Sequence, residues 1–330
     1  MNSKKINIGV IGSGHLGQYH VKHYKNMNNI NFLGLHDSNS ERGNEIAKKY
    51  ETKYFENVYN LMEICDGVSI VTPTESHYDV AKIALNEFCC NVFIEKPITE
   101  TISQADELIN HAQKNNLIIQ VGHIERLNPA LKALEKYDIN PKFIDIQRLA
   151  PYTVRGTDVP VVLDLMIHDI DILLSLVKSK VKSIHASGVS ILTNSVDIAH
   201  ARIRFENGTV SSVTASRVAK DKVRKIKIFQ DNLYSTIDLL LEQTEIYNIT
   251  KDSNLIENAL QAEPFPVDNE KKYIVYEKPK IKNYDSLREE LNNFVNSILN
   301  IESPIVNGIE ARNALEVVIK INEMILEDLK

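Results

Sequence analysis

The fold follows from one stretch near the start of the chain, Ile6-Asn7-Ile8-Gly9-Val10-Ile11-Gly12-Ser13-Gly14-His15-Leu16-Gly17. Its first half predicts a short buried strand, and its last three glycines have the spacing G-x-G-x-x-G ahead of a helix predicted over 18–26. The first glycine permits a tight turn, the second lets the backbone approach a pyrophosphate, and the third lets helix and sheet pack closely. The N–H groups at the start of that helix favour negative charge. We therefore predict a dinucleotide site whose phosphate-binding residues are Gly12, Ser13, Gly14, His15, Leu16 and Gly17.

An acidic residue at the expected distance supports this site. Asp37 ends a second apolar run, 30–36, and lies 20 residues beyond Gly17. A carboxylate at that spacing accepts hydrogen bonds from the adenosine ribose and repels a 2′-phosphate, so it favours NAD over NADP. The alternative is that Asp37 only caps the helix predicted over 39–50. Arg42 in that helix could tolerate a 2′-phosphate, so the choice of NAD stays open.

The composition indicates an ordinary globular protein of about two domains. The chain has 330 residues, 43% of them hydrophobic and 25% charged. A net charge of −6 argues against nucleic acid or an anionic membrane as partner, and no apolar run approaches the ~20 residues of a membrane span. The start of the chain lacks the pattern of a signal peptide. We interpret Cys65, Cys89 and Cys90 as small buried hydrophobic residues in a reducing, cytoplasmic location.

Strands and helices alternate through residues 1–122. After the first two strands, further strands are predicted over 68–71, 91–94 and 117–121, with helices over 75–88 and 101–114 between them. This alternation is typical of right-handed crossovers in a parallel, doubly wound sheet. We therefore predict that residues 1–122 form a Rossmann domain of the α/β class.

Ligands of open α/β sheets bind at the carboxyl ends of the strands. The residues at these ends that we assign to the cofactor are Thr72, Pro73, Thr74, His77, Glu95 and Lys96. Thr74 is also the predicted N-cap of the helix that follows, and His77 either faces the cofactor or is a surface histidine. Pro97 restricts the backbone of Lys96, which favours a lysine that points its ammonium at a substrate hydroxyl over one in a solvated loop.

The second half of the chain has a different pattern. Helices are predicted over 129–136 and 161–177, followed by consecutive strands over 183–189, 199–205, 210–216 and 224–230. We interpret 250–282 as irregular, because Pro264, Pro266 and Pro279 would break any element. Two amphipathic helices, 283–300 and 308–329, close the chain. Residues 123–330 are therefore predicted to form an α+β domain with a large open, mostly antiparallel sheet.

A carboxylate and an imidazole share one face of the helix predicted over 161–177. Asp164 and His168 lie at positions i and i+4, and Asp171 follows. Histidine has a pKa suited to a general base near neutral pH, and a neighbouring carboxylate orients its ring. A polar helix stripe would give the same pattern. A metal site with His123 as a third ligand is disfavoured, since no second His/Cys pair supports it; we predict no metal.

Polar residues also cluster at the junction of the two halves. His123, Arg126 and Asn128 follow the last strand of the first half and are candidate substrate-binding residues. Arg126 could bind a phosphate bidentately or form a salt bridge. Arg155, in the loop 152–158, is a second candidate anion clamp.

Three motifs in order resemble the Gfo/Idh/MocA oxidoreductase family. They are Gly12-x-Gly14-x-x-Gly17-x-x-His20, Glu95-Lys96-Pro97 and Asp164-x-x-x-His168. The resemblance implies that Lys96, Asp164 and His168 form the catalytic group and that Lys96 holds both nicotinamide ribose and substrate. It also implies a cis peptide before Pro97, NAD as cofactor, and a homodimer or homotetramer joined through the open sheet.

Within the family, residues 121–129 and 162–169 most resemble UDP-N-acetylglucosamine 3-dehydrogenases. That resemblance implies oxidation of a sugar C3 hydroxyl to a ketone, which a PLP-dependent aminotransferase then converts to an amine for lipid A or another surface glycan. Leu127 departs from the subgroup pattern, and the run Val161-Val162-Leu163 replaces glycines that are common in the family before the catalytic Asp. The alternatives are a dehydrogenase of free sugars, polyols or inositols and a non-catalytic NAD-binding regulator.

Overall fold

The computed structural model describes residues 5–153, 159–267 and 270–330. The chain divides into two compact units, which are described separately. The first contains the residues up to Ile124 together with Asp285–Glu316, and the second contains Glu125–Tyr284 and Val317–Lys330.

The first unit is built on a five-stranded parallel sheet with the order β2-β1-β3-β4-β5. Its strands are β1 (Ile6–Ile11), β2 (Ile30–His36), β3 (Gly67–Ile70), β4 (Asn91–Glu95) and β5 (Ile119–Gly122). Its helices are α1 (Gly17–Lys25), α2 (Ser40–Lys49), α3 (Val58–Met62), α4 (His77–Phe88), α5 (Ile102–Lys114) and α9 (Ser286–Ile298). This sheet confirms the predicted parallel Rossmann architecture.

Helix α9 belongs to the first unit, although the sequence pattern placed it with the second half. Leu291, Phe294 and Val295 are buried in the same hydrophobic core as Ile8 of β1, and the ring of Phe294 lies edge-on to Phe93 at 5.8 Å. The predicted boundaries, 1–122 and 123–330, are therefore wrong for the segment 285–316. The cause is tertiary packing, because a helix with an apolar face can be buried against any complementary core.

The second unit is built on a nine-stranded sheet with the order β13-β14-β12-β11-β10-β6-β9-β8-β7. Its strands are β6 (Phe143–Leu149), β7 (Val181–Val189), β8 (Ile198–Phe205), β9 (Val210–Ser216), β10 (Val223–Gln230), β11 (Leu233–Asp238), β12 (Gln243–Thr250), β13 (Gln261–Val267) and β14 (Glu270–Glu277). Its helices are α6 (Pro129–Lys132), α7 (Ile167–Val177) and α8 (Ser253–Asn258), and α10 (Gly308–Asp328) begins in the first unit and ends in the second. The sheet confirms the predicted mostly antiparallel architecture.

Five strands of this sheet are absent from the sequence prediction, namely β6, β11, β12 and the pair β13 and β14. β6 lies between β10 and β9, antiparallel to the former and parallel to the latter. β6 was missed because a strand paired with partners more than 60 residues away has no local turn signal. β11 and β12 pair with their neighbours in the chain, so that reason does not apply to them. The mixed character of the sheet therefore comes from β6.

The prediction of irregular structure over 250–282 is wrong. β13 and β14 form an antiparallel hairpin in which Pro264 and Pro266 oppose Tyr273 and Lys271. β13 is an edge strand of the sheet, so its backbone forms hydrogen bonds to a neighbouring strand on only one side. A proline that lacks its N–H is tolerated on such an edge.

The cysteine interpretation is correct for Cys90, which is buried, and wrong for Cys89, which is exposed just after α4. Cys89 has a φ of 52°, and this left-handed residue ends the helix. Cys65 is half-buried, and all three thiols are free. Within the described part of the chain, no helix combines the length and the hydropathy that crossing a membrane requires.

Candidate functional site

The glycine-rich turn between β1 and α1 has the shape that a pyrophosphate needs. Gly12 has a φ of +92°, and a Cβ added there would lie 2.6 Å from the carbonyl oxygen of Val71. A Cβ at Gly17 would overlap the carbonyl oxygen of Gly12. Gly14 differs, because an added Cβ would meet no described atom within 4 Å. The turn is therefore closed on the sheet side and open at Gly14, which fits a bound dinucleotide.

The carboxylate of Asp37 is oriented toward this turn. Its Oδ2 atom accepts hydrogen bonds from the backbone N–H and the hydroxyl of Ser13, both at 2.7 Å. The alternative that Asp37 caps α2 is wrong, because the side chain of Asn39 accepts the N–H of Arg42 in that role. Nε of Arg42 donates to the carbonyl oxygen of Ser13 at 3.2 Å. An acid and a basic group thus flank Ser13.

The segment after β3 is fixed by a histidine. Thr72 and Pro73 lead into a 3₁₀ turn, Thr74–Ser76, so Thr74 is not the side-chain cap of α4. His77 is 1% exposed, so it is neither the surface histidine nor the cofactor-facing residue that the sequence analysis considered. Its Nδ1 lies 2.8 Å from the carbonyl oxygen of Pro97, and its Nε2 lies 3.0 Å from that of Thr72. Burial lowers the pKa of His77, against the opposing effect of these two carbonyls.

Lys96 follows β4 in a segment that is also held in place. The peptide bond between Lys96 and Pro97 is cis, as the family resemblance implied. Oε1 of Glu95 lies 3.1 Å from Nε2 of His20, which is fully buried in α1. The sequence pattern had assigned Glu95 to the cofactor and had given His20 no role beyond the motif. Lys96 itself is half-buried.

Asp164 and His168 flank a change of helix type. Val162–Met166 forms a π-helical turn, and α7 continues from Ile167. Asp164 lies in the π turn and His168 in the first turn of α7, both half-buried. The sequence spacing predicted one regular helix over 161–177 and gave no sign of the π turn. Such turns are frequent at functional sites, because the inserted residue changes the direction in which side chains project.

Two buried arginine–aspartate pairs hold the start of α7. Nε and Nη2 of Arg126 donate to the two carboxylate oxygens of Asp171, at 2.6 and 2.9 Å. Nε and Nη2 of Arg148 donate to Asp169 at 2.8 to 3.0 Å. Nη1 of Arg148 also donates to Glu125 at 3.0 Å. Sequence analysis missed Arg148, Asp169 and Glu125, since nothing local marks residues so far apart as partners.

The other predicted substrate residues have different surroundings. Oδ1 of Asn128 accepts the N–H of Ala130 at the start of α6, and its Nδ2 donates to the carbonyl oxygen of Leu239. His123 is buried directly after β5. Arg155 lies outside the described residues. Among the residues that the structure describes, no group of three or more His, Cys, Asp or Glu side chains is arranged to hold a metal ion.

Two parts of the chain match known family models. Residues 6–123 match a family described as "Oxidoreductase family, NAD-binding Rossmann fold", and residues 150–232 match the GFO/IDH/MocA C-terminal domain. The chain belongs to the Gfo/Idh/MocA oxidoreductase family. Its first unit is an NAD-binding Rossmann domain, and members of the family are NAD-dependent dehydrogenases that act on CH–OH groups.

Several relatives of this Gfo/Idh/MocA protein are characterised. The UDP-N-acetylglucosamine 3-dehydrogenase of Acidithiobacillus ferrooxidans is 33% identical over 95% of each chain. A solved structure of that enzyme matches with a TM-score of 0.88 and 31% identity, over 99% of this chain and 100% of that one. The myo-inositol 2-dehydrogenase of Thermotoga maritima is 24% identical over 94% of this chain and 93% of its own.

Proposed function

We propose that this protein oxidises the C3 hydroxyl of a UDP-N-acetyl sugar to the 3-keto sugar. The observation that carries the proposal is the similarity to the UDP-N-acetylglucosamine 3-dehydrogenase of Acidithiobacillus ferrooxidans along nearly the whole of both chains. The product is a ketone, and we propose that a PLP-dependent aminotransferase consumes it in lipid A or other surface glycan biosynthesis.

The cofactor fits the residues of the first unit. Residues 12–17 would hold the pyrophosphate, and Asp37 would accept hydrogen bonds from the adenosine ribose. Thr72, Pro73 and Thr74 follow β3 at the carboxyl edge of the same sheet. When bound, NAD accepts the hydride that leaves the sugar carbon.

The catalytic group of the proposal contains Lys96, Asp164 and His168. His168 removes the proton of the C3 hydroxyl as general base, and Asp164 orients its ring and stabilises the imidazolium. Lys96 places a positive charge at the developing alkoxide, which lowers the free energy of the transition state. Lys96 as the base itself is the alternative within this mechanism.

Recognition of the nucleotide is assigned to His123, Arg126, Asn128 and Arg155. Two of these already have protein partners, since Arg126 binds Asp171 and Asn128 binds Leu239. These contacts support a role for both residues in shaping the second unit.

The open sheet supports a homodimer. Five aromatic residues form a row across five adjacent strands, with ring centroids 4.8 to 5.9 Å apart. They are Phe143, Phe229, Tyr234, Tyr247 and Tyr276. The next row on this face contains both Asp145 and Lys227, which oppose each other in register. A face with an apolar stripe and charges of both signs can pair with a second copy of itself.

The test is a substrate screen that follows NADH absorbance. UDP-N-acetylglucosamine and its C6 carboxylate are compared with free N-acetylglucosamine and myo-inositol, with the aminotransferase and its amino donor present to remove the ketone. We expect NADH only with the UDP-sugars, and its loss in His168→Ala. Equal kcat/KM for sugars with and without UDP would contradict the proposal.

Comparison of pH–rate profiles separates the two candidate bases. If His168 is the base, His168→Ala loses the rise in kcat/KM near neutral pH, whereas Lys96→Ala keeps that rise at a lower rate. The reverse pattern would assign the base to Lys96.

A second candidate function is oxidation of a free polyol, because the myo-inositol 2-dehydrogenase relative also aligns along nearly the whole chain. The same screen detects it as NADH formation with myo-inositol. A non-catalytic NAD-binding regulator predicts no NADH with any of these substrates and no loss of function in Lys96→Met.

A further inference from the structure

Two buried histidines lie on either side of the segment that carries Lys96. His20 in α1 contacts the side chain of Glu95, the residue before Lys96. His77 in α4 contacts the carbonyl oxygen of Pro97, the residue after it. Both imidazoles are at most 1% exposed. Both neighbours of Lys96 are therefore held by helices of the first unit, Glu95 through its side chain and Pro97 through its carbonyl oxygen.

The contact on the first side leaves Glu95 little freedom. A Cβ added at Gly122 of β5 would lie 2.9 Å from both carboxylate oxygens of Glu95. The carboxylate thus packs against Gly122 on one side, and Nε2 of His20 lies 3.1 Å from Oε1 on the other. A carboxylate oxygen only accepts hydrogen bonds, so His20 donates its Nε2–H to Glu95.

The contact on the second side links two loops. His77 reaches the carbonyl oxygen of Pro97 through Nδ1 and that of Thr72 through Nε2. A carbonyl oxygen only accepts hydrogen bonds, and a neutral imidazole carries a single N–H. One of the two contacts is therefore the donated bond, and the shorter one, at 2.8 Å, is to Pro97.

The geometry points to His20 and His77 as positioning residues that fix the backbone on both sides of Lys96 and so aim its ammonium at the reacting oxygen. This inference rests on the proposed role of Lys96 in catalysis. A displacement of about 1 Å in a catalytic group lowers a rate by up to ~100-fold. The two histidines would therefore act on kcat without touching substrate or cofactor.

His77 contacts Pro97 through Nδ1, whereas His20 contacts Glu95 through Nε2. This difference gives a matched set of variants. Asparagine places an amide N–H close to the position of Nδ1, and glutamine places one close to that of Nε2. We expect His77→Asn to keep kcat within about threefold, whereas His77→Gln lowers it at least tenfold. For His20 we expect the opposite order, with His20→Gln retained and His20→Asn impaired. KM for NAD and for substrate should change less than twofold in all four.

The control is Tyr78→Phe, which removes a surface hydroxyl from the residue next to His77 in α4. It should leave kcat unchanged. Equal losses in the Asn and Gln variants of either histidine, or a change in KM with constant kcat, would overturn the inference. So would wild-type kcat in His77→Ala and His20→Ala together.

A second measurement does not depend on the substrate. Hydrogen exchange followed by mass spectrometry reports the order of the segment 95–102. We expect faster exchange there in His77→Gln and His20→Asn and wild-type exchange in the two matched variants. If no UDP-sugar yields NADH, the proposed function fails, and exchange alone decides whether the histidines hold this segment. Wild-type exchange in all four variants would overturn the inference that the two histidines hold this segment.

Discussion

Nε and Nη2 of Arg126 donate to the two carboxylate oxygens of Asp171, at 2.6 and 2.9 Å. Asp171 is 1% exposed, so this pair is a buried bidentate salt bridge one turn beyond His168 in α7. The sequence allowed either a phosphate ligand or a salt bridge at Arg126. Asp171 occupies the Nε–Nη2 edge of the guanidinium, so a phosphate cannot bind bidentately at that edge while the pair is formed.

The first prediction concerns the stability that this pair provides. Asp171→Asn leaves the charge of Arg126 without its carboxylate, and such a loss costs about 3 kcal/mol. Arg126→Lys should cost a similar amount, because an ammonium cannot make the paired hydrogen bonds. Urea unfolding of both variants and of the double variant measures the coupling. Unchanged stability with a tenfold higher KM for a UDP-sugar would instead make Arg126 a phosphate ligand.

The second prediction concerns the choice of cofactor. Asp37→Ser removes the carboxylate that faces Ser13 and would repel a 2′-phosphate. Arg42 remains beside Ser13. We expect kcat/KM with NAD to fall about tenfold and the ratio of NADP to NAD activity to rise by a larger factor. Ser13→Ala is the control, since it keeps the carboxylate. An unchanged ratio in Asp37→Ser would show that Asp37 does not select the cofactor.

The third prediction concerns pH and the loop between β7 and β8. Oδ2 of Asp197 accepts the N–H groups of Ile191, Leu192 and Thr193 at 2.6 to 3.0 Å. Burial alone would raise the pKa of Asp197, but these hydrogen bonds lower it to about 2. Because the folded pKa is depressed, the stabilisation is complete above about pH 4, the unfolded value. It is lost as the pH falls through about 2.

Asp197→Asn tests this directly. The amide offers fewer acceptors to the same N–H groups, so we expect a loss of about 2 kcal/mol in the free energy of unfolding at pH 7. The difference from wild type should shrink between pH 4 and pH 2. A difference that stays constant over this range would assign the effect to packing.

The fourth prediction concerns the thiols. Cys89 is exposed, whereas Cys90 is buried with its pKa raised by burial to about 12. Burial also raises the pKa of the Cys65 thiol. Since the thiolate is the reactive form, Ellman's reagent should label one thiol rapidly in the folded protein. Cys89→Ser should abolish this rapid labelling. The control is labelling in 6 M urea, where all three thiols should react at one rate. Rapid labelling of Cys90 in the folded protein would contradict the burial of that thiol.

The fifth prediction concerns the aromatic row on the open sheet. Phe229 is 40% exposed on β10, and Phe229→Lys would place a charge within the row, between Phe143 and Tyr234. We expect a shift toward monomer in light scattering coupled to size exclusion. Tyr59→Lys, at an exposed aromatic residue of α3 in the first unit, is the matched control. A monomeric wild type, or equal behaviour of the two variants, would reject the proposed dimer face.

The sequence by itself determined the parts of this protein that depend on local chemistry. The turn at Gly12 needs a positive φ, Asp37 lies at a fixed distance beyond it, and the alternation of strands and helices defines the parallel sheet. The spacing of Asp164 and His168 predicted that they share one helix face, and their catalytic role was implied by the family resemblance. Each of these signals involves residues close together in the chain, where backbone geometry restricts the outcome.

Only the tertiary structure decided the rest. In the tertiary structure β6 lies between β9 and β10, and Pro264 lies on the edge strand β13. Helix α9 packs into the core of the first unit, and Arg126 pairs with Asp171. These outcomes depend on which of many compatible apolar faces, strand edges and charges meet over long separations. Local propensity does not determine that choice, because burial and hydrogen bonding between distant segments are satisfied only in the complete fold.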